Sequence, residues 1–354
     1  MTKNYDIWFD YFNDLGVIDD LKNSHHGVVS NDLNHDGKTM DLIHLNPYHH
    51  ESVWDHVHMV RDEALALSDD PIVEMLALLH DVAKPFMRFY NEKNNRVRFS
   101  GHELGSALFS VNFLKEHFPD HAEMMLKVIT LHIMGLRGDN IYEFESDPEV
   151  IHYLELLNTA DSLGRIAEDT KDRAGALARV RDAVDNWILV EQTVVEATDK
   201  TYTVLIGIPG SGKSTFLKDY EGEVFNHDDT MVRIAEEKFG IVDNYNEAFK
   251  TVRGANIDWV PRTVEASLQA LKTHDDVCLD ATNMTKKKRS SIAKRARRAG
   301  AKVKFVMFWR DWFDCLDCRS KGDKTIPLGV YKGMINSFTY PSIAEYDEIE
   351  HIII

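Results

Sequence analysis

The chain changes its pattern of apolar and polar residues near residue 200. Before that point, apolar residues recur at helical spacing in segments 72–83, 104–118, 124–132, 150–163 and 173–192. A recurrence close to 3.6 residues predicts amphipathic helices. Pro71 suits the start of the first of these helices and Pro85 suits its end. No alternating run indicates a strand, so the first part of the chain is predicted to be all-α.

After residue 200 the apolar runs become short and rich in β-forming residues. They occupy residues 202–206, 224–226, 277–280 and 303–309, and helical patterns separate them. Strands that alternate with helices predict an α/β fold with a parallel sheet. A chain of 354 residues exceeds the usual size of one hydrophobic core. We therefore expect two domains, at residues 1–198 and 199–354.

The charge of the chain is divided in the same way. The net charge is −17, but residues 200–354 hold 24 Lys and Arg against 22 Asp and Glu, which leaves 17 against 36 before them. Such asymmetry favours two units with different tasks, although solubility alone would also explain an acidic half. Three cysteines give no disulfide framework, and neither a membrane span nor a signal peptide is evident, which favours a cytoplasmic location.

A glycine-rich loop follows the first strand of the second half. Residues 207–214, GIPGSGKS, fit the pattern G-x-x-x-x-G-K-[ST] between a predicted strand and a predicted helix. The backbone N–H groups of such a P-loop bind the phosphates of a nucleotide. We expect Lys213 to reach the β- and γ-phosphates of ATP or another nucleoside triphosphate, and Ser214 to hold Mg²⁺. The complete phosphate-binding set is predicted to be Gly207, Gly210, Ser211, Gly212, Lys213, Ser214 and Thr215.

Carboxylates follow two later strands of the same predicted sheet. Asp228 and Asp229 come after the run 224–226, and the segment 280–283, DATN, closes the next one. The carboxyl ends of parallel strands face the crevice in which ligands bind. Asp228 is the first candidate for a general base that takes a proton from an attacking hydroxyl, and Asp229 is the second. Capping of a helix that starts near Thr230 is the alternative role for this pair, and a plain turn is the alternative for residues 280–283.

Two basic segments lie nearer the end of the chain. Residues 319–324, RSKGDK, could supply cations that neutralise charge during phosphoryl transfer, and a solvated helix is the alternative. Residues 286–298 hold eight basic residues in thirteen, which suits either a nucleic-acid backbone or a solvated helix face. Cys315 and Cys318 lack a second cysteine pair, so a zinc site is not expected there.

The order of these motifs resembles the polynucleotide 5′-kinase branch of P-loop phosphotransferases. The similarity lies in GIPGSGKST, FNHDD, LDATN, the basic helix and CRSKGDKTIP, and it covers nearly all of residues 200–340. It implies that the acceptor is the 5′-hydroxyl of RNA or DNA, that Asp228 is the general base, and that Arg319 and Lys321 are lid cations over the ATP phosphates. One position departs from the family, because Met231 stands where an arginine commonly grips the acceptor's 3′ phosphate, and Arg233 is the nearest arginine.

Histidines are concentrated in the first part of the chain. Fourteen of the seventeen precede residue 153, and the pair His80-Asp81 ends an apolar helical pattern. Imidazole and carboxylate are common ligands of divalent transition metals. Adjacent residues on a helix point about 100° apart, so helical periodicity alone does not place His80 and Asp81 on one metal. Further candidates recur at the ends or inner faces of predicted helices, namely His56, His102, His132 and Asp161.

This ordered series resembles the HD-domain phosphohydrolase superfamily. The similarity lies in VWDHVHMV, LALLHDVAKP, GHELGSA, ITLHIMG and NTADSLGR, across roughly residues 48–170. It implies one metal held by His56, His80, Asp81 and Asp161, and a second site completed by His102 and His132. It also implies that Lys84 and Arg165 bind the substrate phosphate while a water made acidic by the metal attacks phosphorus. Residues 49–51, HHE, touch substrate or lie in a solvated loop, and we assign His25, His26, His35 and His44 to loops.

An HD domain ahead of a polynucleotide-kinase-like domain resembles a class of bifunctional enzymes that heal nucleic-acid ends. In that class the HD module removes a 2′,3′-cyclic or terminal phosphate and the kinase adds a 5′ phosphate, so that a separate ligase can seal the ends. Two other interpretations stay open: a mononucleotide phosphohydrolase joined to a nucleoside kinase, and a regulatory nucleotide sensor. Met231 favours the first alternative, whereas the basic helix and lid favour nucleic acid.

Overall fold

The computed structural model describes residues 2–26, 49, 51–91, 96–137, 139–166, 173–185, 187, 198–241, 244–320 and 326–354. The chain divides into two compact units, Met1–Val190 and Glu191–Ile354. The boundary that the sequence pattern predicts, between residues 198 and 199, lies slightly later in the chain. Within the described part of the chain, no helix combines the length and the apolar character that crossing a membrane requires.

The N-terminal unit is built mainly from helices, as the apolar periodicity predicts. These are α1 (Lys3–Asp14), α2 (Val17–Asn23), α3 (Val53–Leu67), α4 (Pro71–Leu79), α5 (Lys84–Met87), α6 (His102–His117), α7 (Ala122–Leu136), α8 (Pro148–Leu163) and α9 (Arg173–Asp185). The predicted continuation of α9 over residues 188–192 lies outside the described residues.

One short antiparallel hairpin interrupts these helices. Strand β1 (Phe89–Asn91) pairs with β2 (Arg96–Arg98). The expectation of an entirely helical first half was wrong at this point. Each strand has three residues, and Phe89 is exposed while Val97 is buried. Two such strands are too short to show the alternation by which a strand is recognised in a sequence.

Helix α4 forms the centre of the N-terminal unit. The side chain of Asp70 caps it by accepting a hydrogen bond from the Ile72 backbone N–H at 2.9 Å, and every residue from Ile72 to Leu79 is buried. The helix ends at Leu79, earlier than the sequence pattern predicts. Pro85 does not terminate it and lies instead in the first turn of α5, where proline is tolerated because no backbone donor is needed there.

The C-terminal unit is an α/β domain. Its strands are β3 (Thr201–Ile206), β4 (Glu223–Asn226), β5 (Asp276–Asp280), β6 (Lys302–Trp309) and β7 (Glu348–Ile353). Its helices are α10 (Lys213–Phe216), α11 (His227–Phe239), α12 (Tyr245–Gly254), α13 (Val260–Ala270), α14 (Lys286–Arg298), α15 (Trp312–Ser320) and α16 (Leu328–Asn336).

The strands form one parallel sheet in the order β4-β5-β3-β6-β7, which confirms the predicted α/β fold. The chain leaves β3 towards β4 and β5 on one side, and then crosses to β6 and β7 on the other. The carboxyl end of β3 therefore lies where the direction of winding changes, which is the usual ligand site of open α/β sheets. Strand β7 escaped prediction because all its side chains are exposed or only partly buried, so its apolar pattern is weak.

Candidate functional site

The loop after β3 has the tight geometry that its glycines permit. Gly210 and Gly212 have φ angles of 86° and 98°, in the left-handed region that favours glycine. A Cβ atom on Gly207 would lie 2.5 Å from Ser211 Oγ, and one on Gly210 would lie 2.6 Å from a backbone oxygen of Cys315. Ser214 and Thr215 are exposed at the start of α10, where their hydroxyls can reach a ligand and its metal ion.

Lys213 is folded into this loop. Its Nζ atom donates hydrogen bonds to the backbone oxygens of Gly207 and Ile208 at 2.8 and 2.9 Å. Burial lowers its pKa to about 8, and the nearby carboxylate of Asp280 partly opposes that shift. The ammonium group thus lies against the backbone of the loop at the carboxyl end of β3, where a phosphate group can replace the carbonyl oxygens as its partner.

Asp228 lies at the same edge of the sheet. Helix α11 begins at His227 rather than near Thr230, and its cap is the side chain of Asn226, which accepts a hydrogen bond from Asp228 N at 2.7 Å. Capping is therefore not the role of the aspartate pair. One oxygen of Asp228 accepts a hydrogen bond of 2.8 Å from the hydroxyl of Tyr245, and the charge of Asp228 acts on Lys213. Asp229 is exposed.

The segment 280–283 supports the loop from the neighbouring strand. Asp280 is buried and accepts a hydrogen bond of 2.6 Å from the Asn226 side chain. Burial raises its pKa, and Lys213 limits the shift. Asn283, whose φ is 45°, donates to the backbone oxygen of Leu205 at 2.8 Å. The segment is therefore more than a plain turn, because it joins β5 to the end of the strand that carries the P-loop.

Helix α15 brings a cation to the same crevice. The charge of Arg319 acts on Lys213, Tyr245 and Tyr331, so its guanidinium group is near the P-loop. Lys321, the second predicted lid cation, lies outside the described residues. Cys315 is buried and Cys318 is exposed on this helix, and within the described residues neither belongs to a cluster that could hold a metal.

A second set of candidate residues converges on one carboxylate in the N-terminal unit. Asp81 is fully buried, and the Nε2 atoms of His56, His80 and His102 lie 3.2, 3.1 and 3.1 Å from its oxygens. His132 Nε2 lies 3.9 Å from the same carboxylate. His80 and Asp81 follow the end of α4 and lie in a turn, so the 100° separation of helical neighbours does not apply to them.

Asp161, on α8, joins this cluster through His56. Its Oδ1 atom lies 3.2 Å from His56 Nε2, and its side chain is partly buried. Gly164 allows the close approach of α8 to α3 on which this contact depends, because a Cβ atom at Gly164 would lie 2.5 Å from the backbone nitrogen of Val60. All six predicted metal ligands are thus brought together by five helices or helix ends.

Backbone oxygens orient the rings of the four histidines through hydrogen bonds to Nδ1, the ring nitrogen that faces away from the centre of the cluster. Nδ1 of His80, His102 and His132 lies 2.7, 2.8 and 2.6 Å from the oxygen of the residue three positions earlier. Nδ1 of His56 lies 2.9 Å from the oxygen of Gly164. A carbonyl oxygen only accepts, so each Nδ1 donates its proton to the backbone and each Nε2 is the ring atom that faces the centre of the cluster, where a metal ion would bind it.

The cluster fits a divalent metal ion. Asp81 Oδ1 and the Nε2 atoms of His56, His80 and His102 are buried, and they have no hydrogen-bond partner among the described residues. Leaving such atoms unsatisfied costs about 1–3 kcal/mol each. Two groups have ligand atoms within 4.8 Å of one another, His56–His80–Asp81 and Asp81–His102–His132. These groups share Asp81 and could hold one or two ions.

The protonation states in the cluster suit this assignment. Burial opposes the ionisation of Asp81 and Asp161, but the surrounding imidazoles outweigh burial and hold the pKa of both carboxyls well below the usual range. Burial lowers the pKa of His132 to about 4, and the charges of His102 and His80 add to that shift. At neutral pH the carboxylates are anionic and His132 is neutral, which are the forms that bind metals. Burial and the charge of Lys84 act to lower the pKa of His56, but its hydrogen bonds with Asp161 and Asp81 raise that pKa to about 9, so a metal ion bound at this ring would replace a proton.

Further polar residues line the cluster on one side. Lys84 is buried and forms an ion pair with Asp81. Arg165 follows Gly164, the residue that caps the end of α8. His26, which sequence analysis assigns to a loop, is 2% exposed, and burial followed by the charge of Lys84 lowers its pKa well below the usual range. Glu51 is also buried, whereas His35, His44 and His50 lie outside the described residues.

Comparison with known families supports one part of this picture. Residues 203–326 match a family described as an AAA domain. The C-terminal unit is a P-loop domain. The match covers the P-loop, Asp228, the segment 280–283 and Arg319. No curated protein matched the chain.

Proposed function

We propose that the chain is a bifunctional enzyme whose P-loop domain is a 5′-hydroxyl kinase and whose helical unit is a metal-dependent phosphohydrolase. The observation that carries the kinase assignment is the convergence of Lys213, Asp228 and Arg319 on one crevice at the carboxyl edge of the sheet. A phosphate-binding ammonium, a candidate base and a further cation are the groups that phosphoryl transfer requires.

In the kinase reaction each of these residues has a distinct task. The loop 207–213 binds the triphosphate through its backbone N–H groups, and Ser214 is placed to contribute to the Mg²⁺ site. Asp228 accepts the proton of the acceptor hydroxyl while that oxygen attacks the γ-phosphorus and the bond to the nucleoside diphosphate breaks. Arg319, together with Lys321, neutralises charge on the transferred group. Tyr245 orients the Asp228 carboxylate through the bond of 2.8 Å.

The phosphohydrolase assignment rests on the six predicted metal ligands, five of which are buried while Asp161 is partly buried. When bound there, a divalent transition metal supplies Lewis-acid chemistry that acidifies water and polarises a phosphoryl oxygen. Asp81, Asp161 and the imidazoles would hold the ion, and the ammonium of Lys84 and the guanidinium of Arg165 would bind the anionic phosphate. The order of motifs in the sequence, which resembles that of HD-domain phosphohydrolases, supports the same assignment.

The resemblance to end-healing enzymes favours RNA or DNA ends as the substrates of both units. Removal of a 2′,3′-cyclic or terminal phosphate and phosphorylation of a 5′-hydroxyl would together prepare broken ends for a separate ligase. Both reactions act on the ends of a broken strand, which gives one chain a reason to contain both sites.

A nucleoside kinase joined to a mononucleotide phosphohydrolase is the second candidate. Met231 is fully buried in a core cluster with Ile234 and Val252, so its side chain cannot contact an acceptor phosphate. Arg233 is mostly exposed and pairs with Glu237 on the same helix. The arginine that commonly binds the acceptor's 3′ phosphate in polynucleotide kinases is thus absent at this position, which favours an acceptor without a 3′ phosphate.

A direct comparison of acceptors separates the two candidates. The protein is supplied with labelled ATP and Mg²⁺, and a 5′-hydroxyl RNA oligomer is offered beside free nucleosides. Preferential labelling of the oligomer supports end healing, and preferential labelling of nucleosides supports nucleotide metabolism. In parallel, phosphate release is measured from an oligomer with a 2′,3′-cyclic end and from mononucleotides, with Mn²⁺, Co²⁺, Ni²⁺ or Zn²⁺ supplied. If neither acceptor is labelled, the kinase proposal is wrong.

A further inference from the structure

Lys84 has a second neighbour that no motif predicts. Besides its ion pair with Asp81, its Nζ atom lies 3.2 Å from Nε2 of His26. The two residues are 7% and 2% exposed, so water does not take part freely in this contact. The His26–Lys84 pair therefore belongs to the wall of the metal-ligand cluster, next to the position expected for a substrate phosphate.

The hydrogen bonds of His26 show which partner donates. Its Nδ1 atom lies 3.1 Å from the backbone oxygen of Glu51, which can only accept, so the proton of the neutral ring is on Nδ1. The Nε2 atom is then a bare acceptor and receives an N–H group of the Lys84 ammonium. An ammonium has three donors. With one directed to Asp81 and one to His26, the direction of the third is fixed.

The ring of His26 is itself held on its face and its edge. It stacks on His49, with ring centroids 4.3 Å apart and planes 14° apart, and it meets Phe99 edge-on at 5.4 Å. Glu51 anchors the stack, because one of its oxygens contacts His49 Nδ1 at 2.7 Å and the other accepts from the Ile166 backbone N–H at 3.0 Å. The ring therefore has a single defined orientation toward Lys84.

A metal ion is a poor occupant for this neighbourhood, although His26, His49 and Glu51 have ligand atoms within 4.8 Å of one another. The only nitrogen that His26 could offer faces the ammonium of Lys84, which would repel a cation. Both oxygens of Glu51 are already engaged by hydrogen bonds. The chemistry of the group suits orientation of a cationic side chain better than coordination of an ion.

We propose that His26 is a positioning residue of the phosphohydrolase site, and that it holds the Lys84 ammonium so that the remaining N–H points at a phosphoryl oxygen of the substrate. The inference rests on the proposed phosphohydrolase function of the helical unit. The ligand it serves is a phosphate ester anion. Without the Nε2 acceptor, the ammonium can turn entirely to Asp81, and its hold on phosphate weakens.

Three variants and one control test this proposal in the metal-loaded, full-length protein. His26→Phe keeps an aromatic ring for the stack but removes the acceptor, and His26→Gln places an amide oxygen near the position of Nε2. Lys84→Met removes the cation. His25→Ala is the control, because His25 is exposed and its contacts with Arg88 and Ser52 run through its backbone. Affinity for inorganic phosphate is measured by calorimetry, together with metal content, KM and kcat for phosphate release.

We expect His26→Phe to weaken phosphate binding about tenfold and to raise KM more than it lowers kcat, with metal content retained. His26→Gln and His25→Ala should stay within about threefold of the parent protein. In the Lys84→Met background, His26→Phe should cause no further loss of phosphate affinity, since both changes remove the same interaction. Equal losses in the two backgrounds, or unchanged phosphate affinity in metal-loaded His26→Phe, would overturn the proposal.

A measurement on the unchanged protein decides the matter if His26→Phe folds poorly or loses metal. Nitrogen-15 NMR of the histidine rings distinguishes the two neutral tautomers, and the His26→Gln variant assigns the signal. A proton on Nδ1 supports the proposal, whereas a proton on Nε2 excludes an acceptor role. If the parent protein binds phosphate as predicted but hydrolyses no ester, the phosphohydrolase function fails while the coupling of His26 and Lys84 stands.

Discussion

The two carboxylates of the kinase crevice, Asp228 and Asp280, have different hydrogen-bond partners. The hydroxyl of Tyr245 donates to Asp228, whereas the amide of Asn226 donates to Asp280 and its oxygen caps α11. Asp280 is thereby tied to the end of β4 and is buried, while Asp228 is only partly buried. At the scale of single residues, accessibility to an acceptor distinguishes the candidate base from the structural carboxylate.

Asp228→Asn should lower kinase turnover at least about 100-fold, because a positioned general base contributes about 10² to 10⁴ in rate. ATP binding should change little. Asp229→Asn is the matched control, since Asp229 is the exposed neighbour on the same helical turn. Tyr245→Phe should cost less than Asp228→Asn, because it removes only the hydrogen bond that orients the carboxylate. If Asp228→Asn keeps a turnover close to that of the parent while Asp229→Asn loses it, the assignment of Asp228 as the general base is wrong.

Asp81→Ala should remove the ligand shared by both metal groups. We expect metal affinity to fall at least about 10- to 100-fold, the loss that even an outer partner of a metal ligand can cause, and phosphate release to be lost with it. Asp62→Ala, at an exposed position of α3, is the control. Elemental analysis and phosphate release are measured on the same samples. Full metal occupancy with normal hydrolysis in Asp81→Ala would refute the ligand assignment.

At the scale of elements, some basic side chains of helix α14 form ion pairs within the domain and others are exposed to solvent. Arg289 is fully buried and bonds to Glu345, and Arg297 pairs with Asp347. By contrast Lys288 is exposed at the start of the helix, and after burial its charge is the main cause that lowers the pKa of His227 to about 4. The start of α14 is therefore near the residue that precedes the candidate base.

Lys288→Glu should raise the KM for a 5′-hydroxyl oligonucleotide at least about fivefold, since a pair of unit charges about 4 Å apart interacts by about 1 kcal/mol even in bulk water. The KM for ATP should not change. Lys294→Glu, with the same charge reversal at an exposed position further along α14, is the matched control. If the two variants raise the KM for the oligonucleotide equally, the net charge of the helix, and not the location of Lys288, determines that KM.

Gly164→Ala tests the packing of α8 against α3. The added Cβ would lie 2.5 Å from the backbone of Val60, and backbone cannot yield as a side-chain end can. We expect a loss of about 1–3 kcal/mol in the free energy of unfolding, as is typical of overpacking, and a fall in metal content. Gly333→Ala, where a Cβ meets nothing within 4 Å, should be neutral or slightly stabilising. Thermal melting and elemental analysis check both variants.

At the scale of the whole molecule, two sets of motifs belong to two compact units. Lys213→Ala should therefore abolish phosphoryl transfer and leave metal-dependent phosphate release nearly unchanged. Both activities are measured on one preparation, with Asp81→Ala as the reciprocal variant, in which kinase activity should persist. Simultaneous loss of both activities in either variant would contradict the assignment of one activity to each unit.

The parts of the structure that sequence predicts well are those where one local pattern determines the outcome. Buried strands β3 and β6 and the capped helix α4 have strong apolar patterns, and the P-loop requires glycine at φ angles of 86° and 98°. His26 is buried beside Lys84, 58 positions away, and no local pattern encodes that contact. Likewise the end of α4 before His80 reflects the turn that the cluster occupies rather than the periodicity of the helix.

The backbone bonds behind the four histidines have a consequence for the stability of the helical unit. Each ring is tied through Nδ1 to a backbone oxygen, so an ion bound at Nε2 acts as a cross-link between distant parts of the chain. Binding that favours the folded state raises stability with the ratio of ion concentration to dissociation constant. Displacement of one helix would separate the ligands and release the ion, so metal content can serve as an assay of correct helix packing.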